Sequence, residues 1–407
     1  MATCIAAAVQ NLSAYSVAMS RNRVKRSKAK RKIAVITTSR ADYAHLHWLL
    51  HDLNRHPAID LHVVALGPHL SPEFGHTGKQ IARMGNFSSV ECLLSSDTDV
   101  GMAKTLGVAT LGLAETLGQL RPDLILLVAD RYEMLAPACV ALTLRIPIAH
   151  IEGGEITTGA IDDAVRNALT KMAHLHFACT RRARERILAM GEEPWRVTFS
   201  GSLSLDDLRR SNLLSKSQVE KKLGISLAGT TLLAIYHPVT MMDNSTKEAE
   251  EFFAALEHVR HPVFFVYPNA DAGSRRIIRM AEKFVRNHPS SRLFINLDHI
   301  TYLSLLKNVG VLLGNSSGGV IESTSLEVPT LNIGIRQQGR EHAANVIDVP
   351  AAKNKIIAAL KRALSPEFRG NCRGLESPYG DGRASHRIVQ KLATTPPGPK
   401  LLFKRSQ

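Results

Sequence analysis

The chain reads as an α/β protein built from two doubly wound, Rossmann-like domains facing a cleft. Three observations predict this class. Short, near-continuous apolar runs recur along the chain, and stretches long enough for crossover helices separate them. The length of 407 residues also exceeds the roughly 250–300 residues at which a single core stops growing. Strands apolar on both faces, alternating with helices, belong to parallel sheets covered on each side.

The elements follow in order. The first series of predicted strands covers 33–36, 61–66, 124–128, 146–150 and 197–199, with crossover helices over 43–53 and 102–120. The second covers 231–235, 263–267, 293–295, 309–313 and 330–333. Between them the polar segment 202–216, with Asp206-Asp207 and Arg209-Arg210, reads as the linker. The expected division is a leader at 1–31, a first domain at 32–203, a second at 204–392 and a tail at 393–407. Two open sheets in tandem leave a cleft between their carboxyl ends, where ligands of such sheets bind.

Composition narrows the class. The chain is 44% hydrophobic and 21% charged, and no apolar run approaches the ~18 residues of a membrane helix. Cys4, Cys92, Cys139, Cys179 and Cys372 are scattered without a CxxC pair, which excludes a disulfide framework and a cysteine-held zinc and fits a reducing compartment. The formal charge of +15 suggests nucleic acid until its distribution is read. Residues 1–32 hold 8 Lys/Arg and no acid, and residues 353–407 hold 12 Lys/Arg against 3 acids; 31 basic and 33 acidic residues remain between 33 and 352. The body is near neutral, so the expectation is solvated basic flanks rather than the basic stripe that nucleic acid requires. The leader is small, hydroxylated and basic. It reads as a transit peptide, a disordered segment, or an extension ahead of a start at Met19.

The segment richest in chemistry runs from Ala129-Asp130-Arg131-Tyr132-Glu133 through His150-Ile151-Glu152-Gly153-Gly154-Glu155 to Asp162-Asp163. Asp130 and His150 come at the ends of predicted strands, hence at the cleft edge. Glu152, Glu155, Asp162 and Asp163 crowd one loop, and mutual repulsion raises the pKa of at least one of them. The local alternative is that Asp162 or Asp163 caps the next helix. In that helix Val165, Leu169 and Met172 share a face, with Asp162 and Arg166 paired at i, i+4.

The second constellation opens at Tyr236-His237-Pro238-Val239-Thr240. Gly314-Asn315-Ser316-Ser317-Gly318-Gly319 then follows a strand and precedes a helix through Glu322. Small residues there expose backbone N–H groups, and a helix N-terminus favours an anion. In Thr38-Ser39-Arg40-Ala41-Asp42, Arg40 brings a cation to the same edge and Asp42 caps the helix. Gly334 to Glu341 adds Arg336 and Arg340. Arginines beside a small-residue anion loop suggest a diphosphate. No histidine spacing suits zinc, and HExxH is absent.

These motifs resemble the hydrolysing UDP-N-acetylglucosamine 2-epimerases, both the bacterial sialic-acid-pathway enzymes and the epimerase half of the animal bifunctional enzyme. The resemblance spans about 32–392 and rests on SRADY, ADRYEML, IPIAHIEGGEITTGAIDD, the RNALTKMAHLHF helix, YHPVT, GNSSGGVIES, NIGIRQQGRE and SPYGDGRAS. It implies a glycosyltransferase-B-like fold, with UDP held mainly by the second domain and the sugar in the cleft. The implied reaction is elimination of UDP to a glycal, then hydration to free N-acetylmannosamine. By the same resemblance Asp130, Glu152 and Asp162 match the catalytic carboxylates, and His237 matches a histidine at the diphosphate. Ser316, Ser317 and Gly318 match the phosphate loop, Glu322 the acid on the ribose hydroxyls, and Arg40 a phosphate-side arginine. Arg131 and Arg336 are further substrate-binding candidates. No cofactor or metal is implied; the partner is the UDP-sugar, with no nucleic acid and no membrane. A cytoplasmic homodimer or homotetramer is expected. Ala129 (where many relatives have Gly), Asn167 and Ile335 depart from the usual pattern; a UDP-linked 2,4-diacetamido or a GDP-linked sugar remains an alternative substrate, and the non-hydrolysing UDP-N-acetylglucosamine 2-epimerase reaction an alternative activity.

Overall fold

The computed structural model describes residues 30–405 except 72–77, 83–84, 95–97, 159, 240–241, 243, 245, 269–272 and 296. The leader, read above as targeting or disordered, lies outside the described residues apart from its last two positions.

Thirteen parallel strands form two sheets among the described residues. The first contains β1 (Arg31–Thr37), β2 (Ile59–Leu66), β3 (Phe87–Val90), β4 (Leu124–Val128), β5 (Ile148–Ile151), β6 (Leu175–Ala178) and β7 (Val197–Phe199), in the spatial order β3-β2-β1-β4-β5-β6-β7. The second contains β8 (Leu232–Ile235), β9 (Val263–Val266), β10 (Arg292–Phe294), β11 (Val311–Gly314), β12 (Thr330–Ile333) and β13 (Val346–Val349), in the order β10-β9-β8-β11-β12-β13. Each sheet reverses direction once, between β1 and β4 and between β8 and β11. Those are the switch points at which connections leave a crevice. The loops after β1, β4, β8 and β11 are the segments the motifs singled out.

The apolar runs become strands because helices cover both faces. β4 is buried at every position, and Ile33, Val35, Leu126, Ile148 and Phe177 are fully buried in one core. After β1, Ser39 caps helix Arg40–Arg55 in a reciprocal capping box with Asp42. Asp42 thus closes the cap from the third helical position rather than forming it.

Three strands lie outside the predicted set. β3 (FSSV) is half polar and β13 (VIDV) is broken by an Asp, and at four residues each they carry little apolar signal. β6 (LHFA) lies inside the segment read as a continuous RNALTKMAHLHF helix; that helix ends at Met172, and Ala173 is already extended.

The expected linker and tail also differ from expectation. Within 202–216 the chain forms helix Ser204–Arg210, in which Asp206 and Asp207 are buried. Asp206 accepts the Ala384 and Ser385 N–H groups at 2.8 and 2.7 Å, capping helix Ala384–Thr394. Ile388, Leu392 and Leu401 return to the first sheet's core. The basic C-terminal stretch is therefore folded structure, not a solvated flank. Arg196, 1% exposed, donates to the carbonyls of Lys400, Leu401 and Phe403. Lys404 Nζ reaches Glu192 at 2.6 Å and two carbonyls at the end of helix Asp162–Met172. Lys404 and His176 bonded to it outweigh the burial of Glu192 and pull its pKa down to about 2.

Candidate active site

Two residues at the first sheet's carboxyl edge hold backbone conformations unusual for side-chain-bearing residues: Ala129 at φ +58° after β4 and Glu152 at φ +68° after β5. Each costs about 1–2 kcal/mol and turns the chain so that Asp130 and the Glu152 carboxyl face the cleft loops. Ala129 is tied twice: its N–H donates to Ile151 at 3.0 Å, and its carbonyl accepts His150 Nε2 at 2.8 Å. Burial pushes His150 down to about 4, so the ring is a neutral structural tether.

Arg166 anchors the acids. It is 1% exposed; Nη1 donates to the Glu155 carbonyl at 2.9 Å and to Asp163 Oδ1 at 3.4 Å, and Nη2 to Thr157 Oγ1 at 2.7 Å and to Asp130 Oδ2. Its expected partner at i−4, Asp162, is bound elsewhere. Burial raises the Asp130 pKa, but Arg166, Arg340 and Arg336 together outweigh it and hold the carboxyl below its ordinary range. Glu152 goes the other way: desolvation, with Asp130 and Glu155 adding, outweighs His45 and Arg340 and raises it. Neighbouring carboxyls with opposed shifts are the arrangement that acid–base chemistry needs. Neither Asp162 nor Asp163 caps the helix: Ile161 occupies the cap with no side-chain bond. Asp163 Oδ1 instead accepts the Thr157 N–H at 3.0 Å.

The second sheet contributes the loop after β12. Arg336 donates from Nη2 to Asp162 Oδ2 at 3.3 Å and from Nη1 to the Asn315 carbonyl at 3.1 Å. Gln337 reaches the same carbonyl at 3.1 Å. Arg340 Nη2 donates to Thr157 Oγ1 at 3.3 Å, and Thr158 Oγ1 to the Gln338 carbonyl at 3.0 Å.

At the end of β11, Gly314 at φ +135° lies so close to Ile235 that a Cβ would overlap its carbonyl, so only glycine turns the chain there. Fully buried Asn315 then grips His237 twice: its Oδ1 accepts the His237 N–H at 2.7 Å, and its Nδ2 donates to the His237 carbonyl at 2.9 Å. The loops after β8 and β11 are thereby locked together. Burial, with Arg336 and Arg131 adding, keeps His237 well below its ordinary pKa and neutral. Ser316 stands at the N-cap of helix Ser317–Ser325 with no side-chain cap bond, which directs free N–H groups at the cleft. Glu322, 1% exposed, holds its carboxyl beside Gly318. Its Oε2 has no partner among the described residues. Burial, against His299 and a Tyr302 hydrogen bond, lifts it to about 7.

Together these elements line a cleft formed by Met102, Asp130, Arg131, Tyr132, Thr157, Ile161, Asp162, Ser317, Arg336, Gln337 and Arg340. Of the expected residues, Asp130, Arg131, Asp162, Ser317 and Arg336 line it directly. Arg131 is steered by buried Glu133, Nη2 to Oε1 at 2.8 Å. Glu152, His237, Ser316, Gly318 and Glu322 belong to the loops and helix that frame it. The Arg40 side chain and Thr240 lie outside the described residues. Sequence reasoning missed Arg166, Asn315, Thr157 and Gln337, and noted Arg340 only within an arginine-bearing stretch. Among the described residues no group of three or more His, Cys, Asp or Glu is placed to hold a metal ion.

The sequence profile described as UDP-N-acetylglucosamine 2-epimerase matches residues 51–393. The chain belongs to the UDP-N-acetylglucosamine 2-epimerase family. It is 35% identical over 347 residues to the hydrolysing GDP/UDP-N,N'-diacetylbacillosamine 2-epimerase of Campylobacter jejuni, covering 84% of this chain and 90% of that protein. It is 33% identical over 380 residues to the hydrolysing UDP-N,N'-diacetylbacillosamine 2-epimerase of Legionella pneumophila, covering 92% and 98%. The crystal structure of UDP-GlcNAc 2-epimerase from Neisseria meningitidis bound to UDP-GlcNAc superposes with a TM-score of 0.74 at 18% identity, over 89% of this chain and all of that one. This family member thus has the two-domain, glycosyltransferase-B-like fold.

Proposed function

We propose that the protein is a hydrolysing sugar-nucleotide 2-epimerase that converts UDP-N-acetylglucosamine and water to UDP and free N-acetylmannosamine. The observation that carries the reading is the split state of the acids: Asp130 and Asp162 paired with arginines and Glu152 raised toward its protonated form, at the edge facing the anion-binding helix end.

A C2–H with no neighbouring carbonyl is a weak acid, so proton removal and leaving-group departure must act together. In the proposed first step an ionised carboxylate of the Asp130/Asp162 pair takes the C2 proton. The C1–O bond breaks with its electron pair passing to UDP, and a C1=C2 double bond remains. Arg336, the Ser316–Gly318 backbone and neutral His237 receive the diphosphate charge. In the second step the other ionised carboxylate of the two takes a proton from water, the remaining hydroxide oxygen bonds to C1, and Glu152 delivers a proton to C2 from the opposite face. Glu322 is the group for the ribose hydroxyls, and its unpartnered Oε2 suits that role.

A second substrate is favoured by one observation: both relatives at 33–35% identity carry names for 2,4-diacetamido sugar nucleotides. One experiment decides reaction and substrate together. NMR of the protein with UDP-N-acetylglucosamine, its 2,4-diacetamido analogue and the GDP-linked form should show free 2-epimerised sugar and nucleoside diphosphate from one of them. A product still linked to nucleotide, or no turnover of any, overturns the reading.

A further inference from the structure

The reaction above leaves Glu152 short of one proton per turnover, at a time when nucleotide fills the cleft. Beside Glu152, among residues outside the cleft lining, stands a line of buried hydroxyls. Ser202 Oγ is 3.5 Å from Glu152 Oε1 and 3.4 Å from Ser204 Oγ, and Ser204 Oγ is 2.8 Å from His45 Nδ1. Ser202 and Ser204 are 1% and 0% exposed, whereas His45, on helix Arg40–Arg55, is partly exposed. Each hydroxyl is held by its backbone: Ser202 N–H donates to the Tyr379 carbonyl at 2.8 Å, and Ser204 opens helix Ser204–Arg210. Burying two hydroxyls in such a line is costly unless they are bonded to one another and to their neighbours.

We propose that His45, Ser204 and Ser202 form a back-door proton relay that recharges Glu152 while substrate occupies the cleft; this rests on the reading of Glu152 as the proton donor. Ser202 has one hydrogen and two acceptors, Glu152 Oε1 and Ser204 Oγ, so the line has two orientations. In the recharging direction the His45 Nδ1–H bond breaks and its proton joins Ser204 Oγ. The Ser204 hydrogen passes to Ser202, and the Ser202 hydrogen passes to Glu152. One N–H and two O–H bonds break, three O–H bonds form, and no electrons change hands. Imidazolium and carboxylate become imidazole and carboxylic acid, and His45 takes its next proton from solvent.

The charged neighbours agree with a proton that rests on Glu152. Burial and His299, 6.1 Å away between ring centroids, lower the His45 pKa against Glu152, Asp207 and Asp42. Glu152 is raised by burial, Asp130 and Glu155 against His45 and Arg340. His45 is a positioning and relay residue; it touches none of the reacting atoms.

The test compares kcat, KM and pH profiles of wild type, His45→Gln, Ser204→Ala and Ser202→Ala on the sugar nucleotide the wild type turns over, after thermal melts confirm folding. Cutting the relay should lower kcat about tenfold or more with KM changed less than about twofold. The lost rate should return as imidazole buffer concentration rises, which a purely structural defect would not do. Gln at 45 keeps a hydrogen-bonding side chain but cannot carry a proton, so wild-type kcat in both His45→Gln and Ser204→Ala overturns the relay. So does a loss that imidazole fails to restore. If one variant misfolds, the other two still cut the same line. Glu152→Gln separates the premises: inactive Glu152→Gln beside fully active relay variants overturns the relay alone, whereas active Glu152→Gln overturns the role of Glu152 itself.

Discussion

Arg336 Nη2 donates to Asp162 Oδ2 at 3.3 Å, joining a loop of the second sheet to the first helical turn behind the acids of the first. The same guanidinium holds the Asn315 carbonyl in the loop after β11. One cation is therefore shared between a candidate base and the loop proposed to hold the leaving diphosphate. Arg336→Gln should cut kcat/KM by about a hundredfold, roughly 2.7 kcal/mol, with most of the loss in KM if diphosphate holding dominates. Steady-state kinetics on the preferred sugar nucleotide reads both parts.

Glu322 gives a stability signature. Its carboxyl titrates near 4.5 when free and at about 7 in the fold. Folding thus takes up a proton between those values. The fold loses stability as pH rises through that window and carries the full penalty above it, up to about 3 kcal/mol. Glu322→Gln has no such penalty. Urea unfolding at about pH 5 and about pH 8 should show the variant gaining on wild type at the higher pH; an equal difference at both would contradict the shift.

Ala129 sits at φ +58° with its hydrogen bonds intact. Ala129→Gly removes the steric cost of a Cβ there but adds flexibility to the unfolded chain, so the net gain should be about 0.5–1 kcal/mol. The denaturation midpoint should rise without a change in slope. A fall would mean that Ala129 is unstrained.

Truncation after Thr395 should destabilise the protein by about 2–4 kcal/mol. Buried Arg196 would lose three of its carbonyl acceptors and Glu192 its Lys404 partner, leaving the buried charges with Glu193, Lys171 and His176 as remaining side-chain partners. Calorimetry measures it, and an unchanged melting temperature would show the tail to be dispensable.

The fold class was legible because its strands are continuous apolar runs: 33–36, 124–128 and 330–333 each became buried parallel strands. β3, β6 and β13 were not, since four-residue strands with polar positions look like loop until a neighbour pairs with them. At the site, the residues that met ligand-facing loops were readable from their place after strands, as with Asp130 and Ser317. Arg166 was not. On a helix it reads as a surface partner of Asp162, and only the fold shows it fully buried beneath Asp130. Asp206 and Asp207 misled in the opposite direction, since a polar pair reads as linker until its burial and the helix end that Asp206 secures come into view.

The return of residues 384–402 to the first sheet's core means that the polypeptide crosses between the two halves twice, once on either side of the second sheet. A single crossing would allow the halves to swivel freely. Two crossings, pinned together where Asp206 caps the returning helix, tether the halves at two points. Any relative movement of the halves must therefore accommodate both tethers as well as the Arg336–Asp162 contact.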